Sequence, residues 1–510
     1  MVAFSDGGSS SDRTAAVADV LRSCGQDWRD EAGLWIADLL AVETLVPDAY
    51  SRWRPLVHHC MAVVASHISD GRLAPKIVEQ IELPVETSPE VRLGLLIAKT
   101  PGLQKLGQVL ARTRRLSRSL RTELQKLENG IADVTAAEIR AMVVKQLGTT
   151  CLAAYQVEIS SGLLSEASVS AVLPFTWLNP ASGKREEGVF KVMKPHVPAC
   201  YAEDLSLLQH LAADLAARGR EYYFASREVA ETLDEVRLLL EREVDFRREQ
   251  ATLAEVHRVY RRSSAHAPRP IPELSTDTIT AMSLERGVKV TEASRRSPLR
   301  RQRIAAEIVA SLLADPIFSP EENAVFHADP HAGNLLYNEA RGELIVLDWA
   351  LTGRLGLHDR KHLVRLIIMM TMRDAAGVRT AIHALSRSEP AAVRKDAEII
   401  DRCVANFFSE LPHACSLGAI DAMRLLDRIG VEGVRFPAAL VLIRKVIFTL
   451  DGVLCDIAGE GVRIDTTVAR EFLLRWIRQF GALPAPFSLT DLLAVERSLF
   501  RYATGLWAWA

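Results

Sequence analysis

His327-Ala328-Asp329-Pro330-His331-Ala332-Gly333-Asn334, with Leu344-Ile345-Val346-Leu347-Asp348 behind it, is the part of this 510-residue chain from which a fold can be argued. Asp329 and Asn334 stand five apart (334 − 329) in a segment whose Pro and Gly mark a loop. An apolar strand then delivers a second carboxylate, Asp348, 14 residues after the Asn (348 − 334). Phosphoryl transfer needs these three groups. One carboxylate accepts or orients the attacking hydroxyl, while an amide and a second carboxylate hold Mg2+ against nucleotide phosphates.

The order H-x-D-x-x-x-x-N followed by an Asp at a strand end is that of the protein-kinase signature. It makes Asp329 the candidate base or hydroxyl-orienting group, and Asn334 and Asp348 the candidate Mg2+ ligands. His327 reads as a buttress of the loop. His327, Asp329 and His331 together form an H-x-D-x-H cluster that suits a transition metal, but that alternative leaves Asn334 and Asp348 without a role.

Such a site also needs a cation on the α/β-phosphates, held by a helix carboxylate. Lys191 lies in Val189-Phe190-Lys191-Val192-Met193, the second arm of a hairpin signal that runs from Val169 through the turn Asn179 to Lys184. Strand alternation puts Lys191 and Val189 on one face, and the plain alternative for a lone strand lysine is a solvated edge. For the carboxylate, Glu243, Asp245 and Glu249 in the helical run that follows are all open, and spacing does not choose among them. No G-x-G-x-x-G precedes the hairpin. The corresponding turn, Ser165-Glu166-Ala167-Ser168-Val169-Ser170-Ala171-Val172, has small residues that let backbone approach phosphates.

Outward from these residues the pattern is mostly helical. Apolar residues recur at helical spacing over 14 to about 80, broken near Pro47, Pro55 and Gly71, and helical periodicity continues from Ser88 to Ile131. Residues 201–262 read as long helix. A strand pair is expected at Ile271–Leu274 and Thr278–Met282, turning at Thr276-Asp277. After 303 the chain reads as helical except for strand around the Arg341-Gly342 turn. The expected organisation is 1–85 as an N-terminal helical region, 86–160 as a helical extension, 161–282 as a small sheet with long helices, and 283–510 as a helical lobe carrying the catalytic loop. The fold class is α+β, mostly helical: a two-lobed protein-kinase-like fold with an N-terminal helical extension.

Composition bounds the partners. A net charge of −2 gives no overall field to recruit nucleic acid, and the basic runs Arg112–Arg118 and Arg295–Arg303 read as solvated helix faces. Seven scattered cysteines without C-x-x-C argue against a structural zinc or a disulfide framework. Met1–Arg13 has no apolar signal core, and the most apolar run, Ala438–Leu450, is interrupted by Arg444 and Lys445. The expectation is a cytoplasmic protein without a spanning helix. Peripheral membrane attachment stays open through the aromatic tail Phe500, Tyr502, Leu506, Trp507 and Trp509.

Four stretches together resemble the UbiB-like atypical kinases, the AarF/ADCK group. Lys105-Leu106-Gly107-Gln108 matches the K-x-G-Q motif of that family, and Ala167 to Val172 is similar to its Ala-rich loop. Glu243-Val244-Asp245-Phe246-Arg247-Arg248-Glu249 is similar to its E-x-D segment, and His327–Asn334 with Asp348 matches its catalytic loop and metal-binding Asp. The resemblance implies ATP and Mg2+ as cofactors. It implies Lys191 as the phosphate lysine, Glu249 as its partner, and Ala167, Ser168, Val169, Ser170 and Met282 as nucleotide contacts. It places Lys105 and Gln108 on a helical extension folded across the active site, with Glu243 and Asp245 in the same constellation. It further implies an atypical kinase or ATPase supporting biosynthesis or handling of a quinone-like lipophilic metabolite. A membrane surface, or a protein bound through the N-terminal helices, are the candidate macromolecular partners. Two departures stand out: D-F-G reads Asp348-Trp349-Ala350, and Glu166 brings a carboxylate toward the expected phosphates, where it repels nucleotide unless it faces solvent or Mg2+. They keep a pseudokinase scaffold open as an alternative, beside a small-molecule phosphotransferase of the aminoglycoside or choline kinase type.

Overall fold

A computed structural model describes residues 9–23, 25–46, 48, 51, 54–98, 100–103, 134–167, 169–218, 237, 241–260, 265–293, 295, 297–390, 392–410, 417–458, 462–478 and 493. The chain divides into two compact units. The first comprises residues 1–247 and 271–283, the second 248–270 and 284–510.

The first unit begins with helices Ser10–Ser23, Gln26–Leu39, Arg54–His67, Asp70–Glu82 and Pro89–Ile97. Pro55 and Gly71, breakers in the sequence, fall in first helical turns, where a missing N–H or a flexible residue does no harm. Ser88 caps the last helix by accepting from the Val91 N–H at 3.4 Å. The apolar stripes meet in one core that includes Leu21, Ile36, Ala65, Leu73, Ile77 and Leu96, joined by Leu207 of the Val197–Arg218 helix.

The same unit carries a five-stranded sheet. Ser170–Asn179 and Lys184–Met193 form its central hairpin in continuous register, from Asn179 opposite Lys184 to Ser170 opposite Met193. Glu158–Ile159 and Ser165–Glu166 pair with the first arm, and Ile279–Ser283 pairs with the second. Alternation sends Ala171, Leu173, Phe175 and Trp177, with Phe190 and Val192, into a core under the Ala136–Ala154 helix. The opposite face is covered too, by a cluster of Val169, Met193, Val197 and Phe246. From Gly188 to Met193 this strand is therefore interior and buried on both faces, while Lys184–Glu187 are not, and Lys191 is not a solvated edge residue.

The strand expected at Ile271–Leu274 is not formed. Pro272 has no N–H for a ladder, and Pro272–Leu274 winds into a 3-10 turn. The Ile271 N–H still reaches across, to the Ala281 carbonyl at 2.8 Å. The expected long helix over 201–262 is described as two pieces, Val197–Arg218 and Phe246–Tyr260.

In the second unit, Leu335–Asn338 and Glu343–Val346 form a hairpin closed by Gly342 at φ +69. Ala265–His266 and Val288–Lys289 extend it to four strands. Two further strands, Asn323–His327 and Thr352–Gly356, pair antiparallel, so the region after 303 holds more strand than its periodicity suggests. Asn323–His327 is a short buried run without alternation, and Thr352–Gly356 contains two glycines; pairing rather than propensity makes both extended. Helices Pro298–Val309, Leu357–Thr371, Ala375–Leu385, Val393–Glu410, Ala419–Val431, Ala438–Ala458 and Ile464–Arg478 complete the unit. Arg360, fully buried on Leu357–Thr371, donates to the carbonyls of Pro316, Ile317, Ser319, Glu321 and Glu322. It thereby fixes the segment that leads into Asn323–His327. No helix among the described residues is long and apolar enough to cross a membrane.

Candidate active site

The catalytic-loop residues belong to the second unit, and His327 organises them. It ends the Asn323–His327 strand with no exposed surface. Its Nε2 lies 3.1 Å from the Leu347 carbonyl and 2.8 Å from the Asp348 carbonyl, while its Nδ1 accepts the Asp329 N–H at 3.2 Å. Donation from one nitrogen and acceptance at the other define a neutral imidazole. Burial pushes its pKa below the ordinary value, outweighing the pull of Asp329 and Asp348. With both nitrogens engaged by backbone, His327 has no lone pair for a metal, which removes the H-x-D-x-H alternative. Among the described residues no group of three or more His, Cys, Asp or Glu is placed to hold a metal ion.

His327 thus joins the loop to the segment bearing Asp348. A second tie reinforces it: the Leu347 N–H donates to the Asn334 carbonyl at 2.8 Å. Asn334 closes the 3-10 turn Ala332–Asn334, and its Nδ2 donates to the Asp329 carbonyl at 3.2 Å. That bond commits the amide nitrogen and leaves Oδ1 as the acceptor end. A Cβ at Gly333 would stand 2.9 Å from the His331 ring, whose Nδ1 accepts the Gly333 N–H at 3.1 Å, so a larger residue would push that ring aside. Asp329, Asn334 and Asp348 are accordingly brought together on one hydrogen-bonded frame.

Asp348 itself lies two residues beyond its strand, which ends at Val346, and it adopts φ +54. This is the left-handed region, which Asp tolerates better than most residues with a side chain. Its side chain is exposed while the next residue, Trp349, is buried. Trp349 donates Nε1–H to the Val346 carbonyl at 3.0 Å and packs edge-on against His327 and Tyr260, at 4.8 and 5.4 Å between centroids. The bulkier aromatic braces the loop.

An all-oxygen pair, Asn334 Oδ1 and the Asp348 carboxylate, suits a hard cation such as Mg2+. Two protein ligands fit an ion that takes the rest of its octahedron from phosphates and water.

In the first unit, Lys191 is 9% exposed, between Val172 and Thr280 in register, with Nζ 5.8 Å from the centre of the Phe246 ring. Phe246 anchors the segment that carries the three candidate carboxylates. Glu243 is half-buried, Asp245 exposed, and Glu249 buried one turn further along, in the part of the helix that belongs to the second unit. Met282, half-buried, pairs with Val189. Ser165–Glu166 folds back on Ala171-Val172 through a tight turn in which the Ala167 N–H donates to the Ser170 carbonyl at 2.8 Å. Ala167 is exposed, whereas Val169 and Ser170 are buried. Ser168, Lys105, Gln108 and the aromatic tail lie outside the described residues.

Glu166 departs from its sequence expectation. It pairs with a buried cation: its Oε1 lies 2.9 Å from Nζ of Lys194, which is 1% exposed. Removing one partner of a buried pair strands the other charge. Glu166→Ala is therefore expected to destabilise this unit by about 3 kcal/mol, read by chemical denaturation. Adding Lys194→Met should recover most of the loss. Equal stability of Glu166→Ala and wild type would show that Lys194 does not depend on the carboxylate.

Two site features were not foreseen from sequence. One is Lys194. The other is Lys445 of the Ala438–Ala458 helix, whose Nζ stands 3.3 Å from Asp329 Oδ1. Nothing in the spacing of either residue signals its partner.

The ABC1 atypical kinase-like domain matches residues 126–382, just over half of this chain. The chain belongs to the ABC1 atypical kinase-like family. This is the domain of the UbiB/AarF/ADCK group, so the resemblance to that group is borne out, as is the α+β kinase-like fold. ABC1 membership makes the chain a phosphotransferase-type enzyme. Among solved structures, the complex of Rv3197 with erythromycin from Mycobacterium tuberculosis is similar at 19% identity and TM-score 0.45, over 70% of this chain and 87% of that one. ADP-bound aminoglycoside phosphotransferase APH(2'')-Ib is similar at 13% identity and TM-score 0.20, over 58% and 96% respectively. The ABC1 assignment rests on the domain match.

Proposed function

We propose that this ABC1 protein is an ATP- and Mg2+-dependent atypical kinase or ATPase that supports biosynthesis or handling of a quinone-like lipophilic metabolite. The observation that carries the reading is the frame built on His327, which holds Asp329, Asn334 and Asp348 in one array. In this reading Asp329 accepts or orients the attacking hydroxyl, and Asn334 and Asp348 hold Mg2+, which neutralises charge on the transferring phosphoryl group. Lys191, fixed in an interior strand, takes the α/β-phosphates with Glu249 as its carboxylate partner. The Ala167–Ser170 turn and Met282 line the nucleotide, and Lys105 and Gln108 close the site against a protein substrate. The lipophilic metabolite follows from the UbiB-like resemblance, as does a membrane surface as the place of action.

The burial of Trp349 and the pairing of Glu166 with Lys194 favour this reading over a pseudokinase scaffold. The test is calorimetric binding of Mg-nucleotide and its hydrolysis by the purified chain. Asp348→Ala is expected to reduce hydrolysis at least about 100-fold, and Mg-nucleotide binding with it. Unchanged affinity and turnover in Asp348→Ala would sink the nucleotide reading. Hydrolysis indifferent to liposomes and to quinone-like lipids would remove the lipophilic one.

A further inference from the structure

We propose that Lys445 is a positioning residue for the catalytic Asp329, supplied by a helix far downstream of the loop; this rests on the nucleotide reading above. The Ala438–Ala458 helix buries Leu440, Ile443, Val446, Ile447 and Leu450 along one side, at helical spacing. Arg444 and Lys445 lie next to this face and about 100° apart around the axis. They diverge accordingly. Arg444 pairs with Asp427 of the neighbouring Ala419–Val431 helix, whereas Lys445 reaches the catalytic loop. Two consecutive cations that look in sequence like a single interruption of an apolar run thus have separate tasks.

The geometry defines the task at Asp329. A carboxylate on a short side chain has a broad torsional well at its terminal bond, so its two oxygens exchange places readily unless something holds one of them. Lys445 Nζ stands 3.3 Å from Oδ1. The nearest approach of His331 is to Oδ2, at 3.9 Å, beyond hydrogen-bond reach. An ammonium on Oδ1 holds that oxygen in place and with it the plane of the carboxylate. The buried helix face sets where the lysine stem begins, so the restraint is built into the packing of the lobe. A displacement of about 1 Å at a reacting group is enough to cost about 100-fold in rate.

Lys445→Ala is expected to lower kcat for Mg-nucleotide hydrolysis about 30-fold while the KM for MgATP stays within about threefold. Lys445→Arg should regain most of the loss, and propylammonium in the assay should partly rescue Lys445→Ala but not a Lys445→Ala, Asp329→Asn double variant. Lys445→Met, which keeps the apolar stem, should match Lys445→Ala in kcat and wild type in thermal stability. A wild-type kcat in Lys445→Ala would overturn the proposal. So would a loss unaffected by arginine or amine and accompanied by a lower melting temperature, since that assigns Lys445 to helix packing. Wild-type protein that neither binds nor hydrolyses MgATP overturns the nucleotide reading and this inference with it; an active wild type with an unaffected Lys445→Ala overturns the inference alone.

Discussion

Asp329→Asn is expected to lower kcat for Mg-nucleotide hydrolysis by about 100- to 10,000-fold, the range for losing a positioned acid–base group. Mg-nucleotide affinity should stay within about threefold, because Asp329 is not one of the two oxygen ligands assigned to the metal. The substitution is close to isosteric. The Asp329 carbonyl that receives Asn334 Nδ2 and the Asp329 N–H that donates to His327 are both backbone groups, so the frame survives the change. What disappears is the negative oxygen beside Lys445 and the proton acceptor. A drop in kcat without a drop in binding is the signature of an interaction used in the transition state. The measurement pairs steady-state kinetics with calorimetric nucleotide binding. A kcat within about twofold of wild type would mean that Asp329 has no part in turnover and would return the loop to a binding role.

The second large effect is on stability. Trp349→Ala is expected to lower the stability of the second unit by about 3–5 kcal/mol, the usual range for deleting a buried aromatic. Trp349 is 1% exposed and fills the space between His327 and Tyr260, so truncation removes both ring contacts at once. It also orphans the Val346 carbonyl, which accepts the indole N–H. Trp349→Phe keeps most of the volume and should lose about 1–2 kcal/mol, mainly through that hydrogen bond. Differential scanning calorimetry is the readout, with a fall of about 10 °C for the alanine variant. An alanine variant within 1 °C of wild type would show that the indole is not a brace. Because His327 leans on the ring, activity should fall with stability in Trp349→Ala and much less in Trp349→Phe.

The catalytic loop was legible because its information is short-range. Asp329, Asn334 and Asp348 sit at fixed spacings in one stretch, and the Pro and Gly around them announce a turn. Lys191 was half legible: alternation gave its face, but only the pairing of Ile279–Ser283 on the other side of its strand makes that strand interior. The same return of residues 271–283 to the first unit, after an excursion through 248–270, has no local signature. Lys445 with Asp329 is an encounter between side chains far apart in the chain. Glu166 with Lys194 is closer in sequence, yet its hairpin geometry lies outside any simple motif. Asp348 was expected at the end of a strand and instead occupies a left-handed position beyond it. Trp349 looked like a defect of the D-F-G motif because its pocket, made by His327 and Tyr260, cannot be seen in one dimension.

The Arg360 guanidinium ties down the peptide groups immediately upstream of the catalytic strand, and it does so from a helix that follows the loop in the chain. These hydrogen bonds can therefore form only after the later Leu357–Thr371 helix has been added to the chain. Fraying of that later helix would release the backbone leading into Asn323–His327 while leaving the covalent surroundings of Asp329, Asn334 and Asp348 untouched.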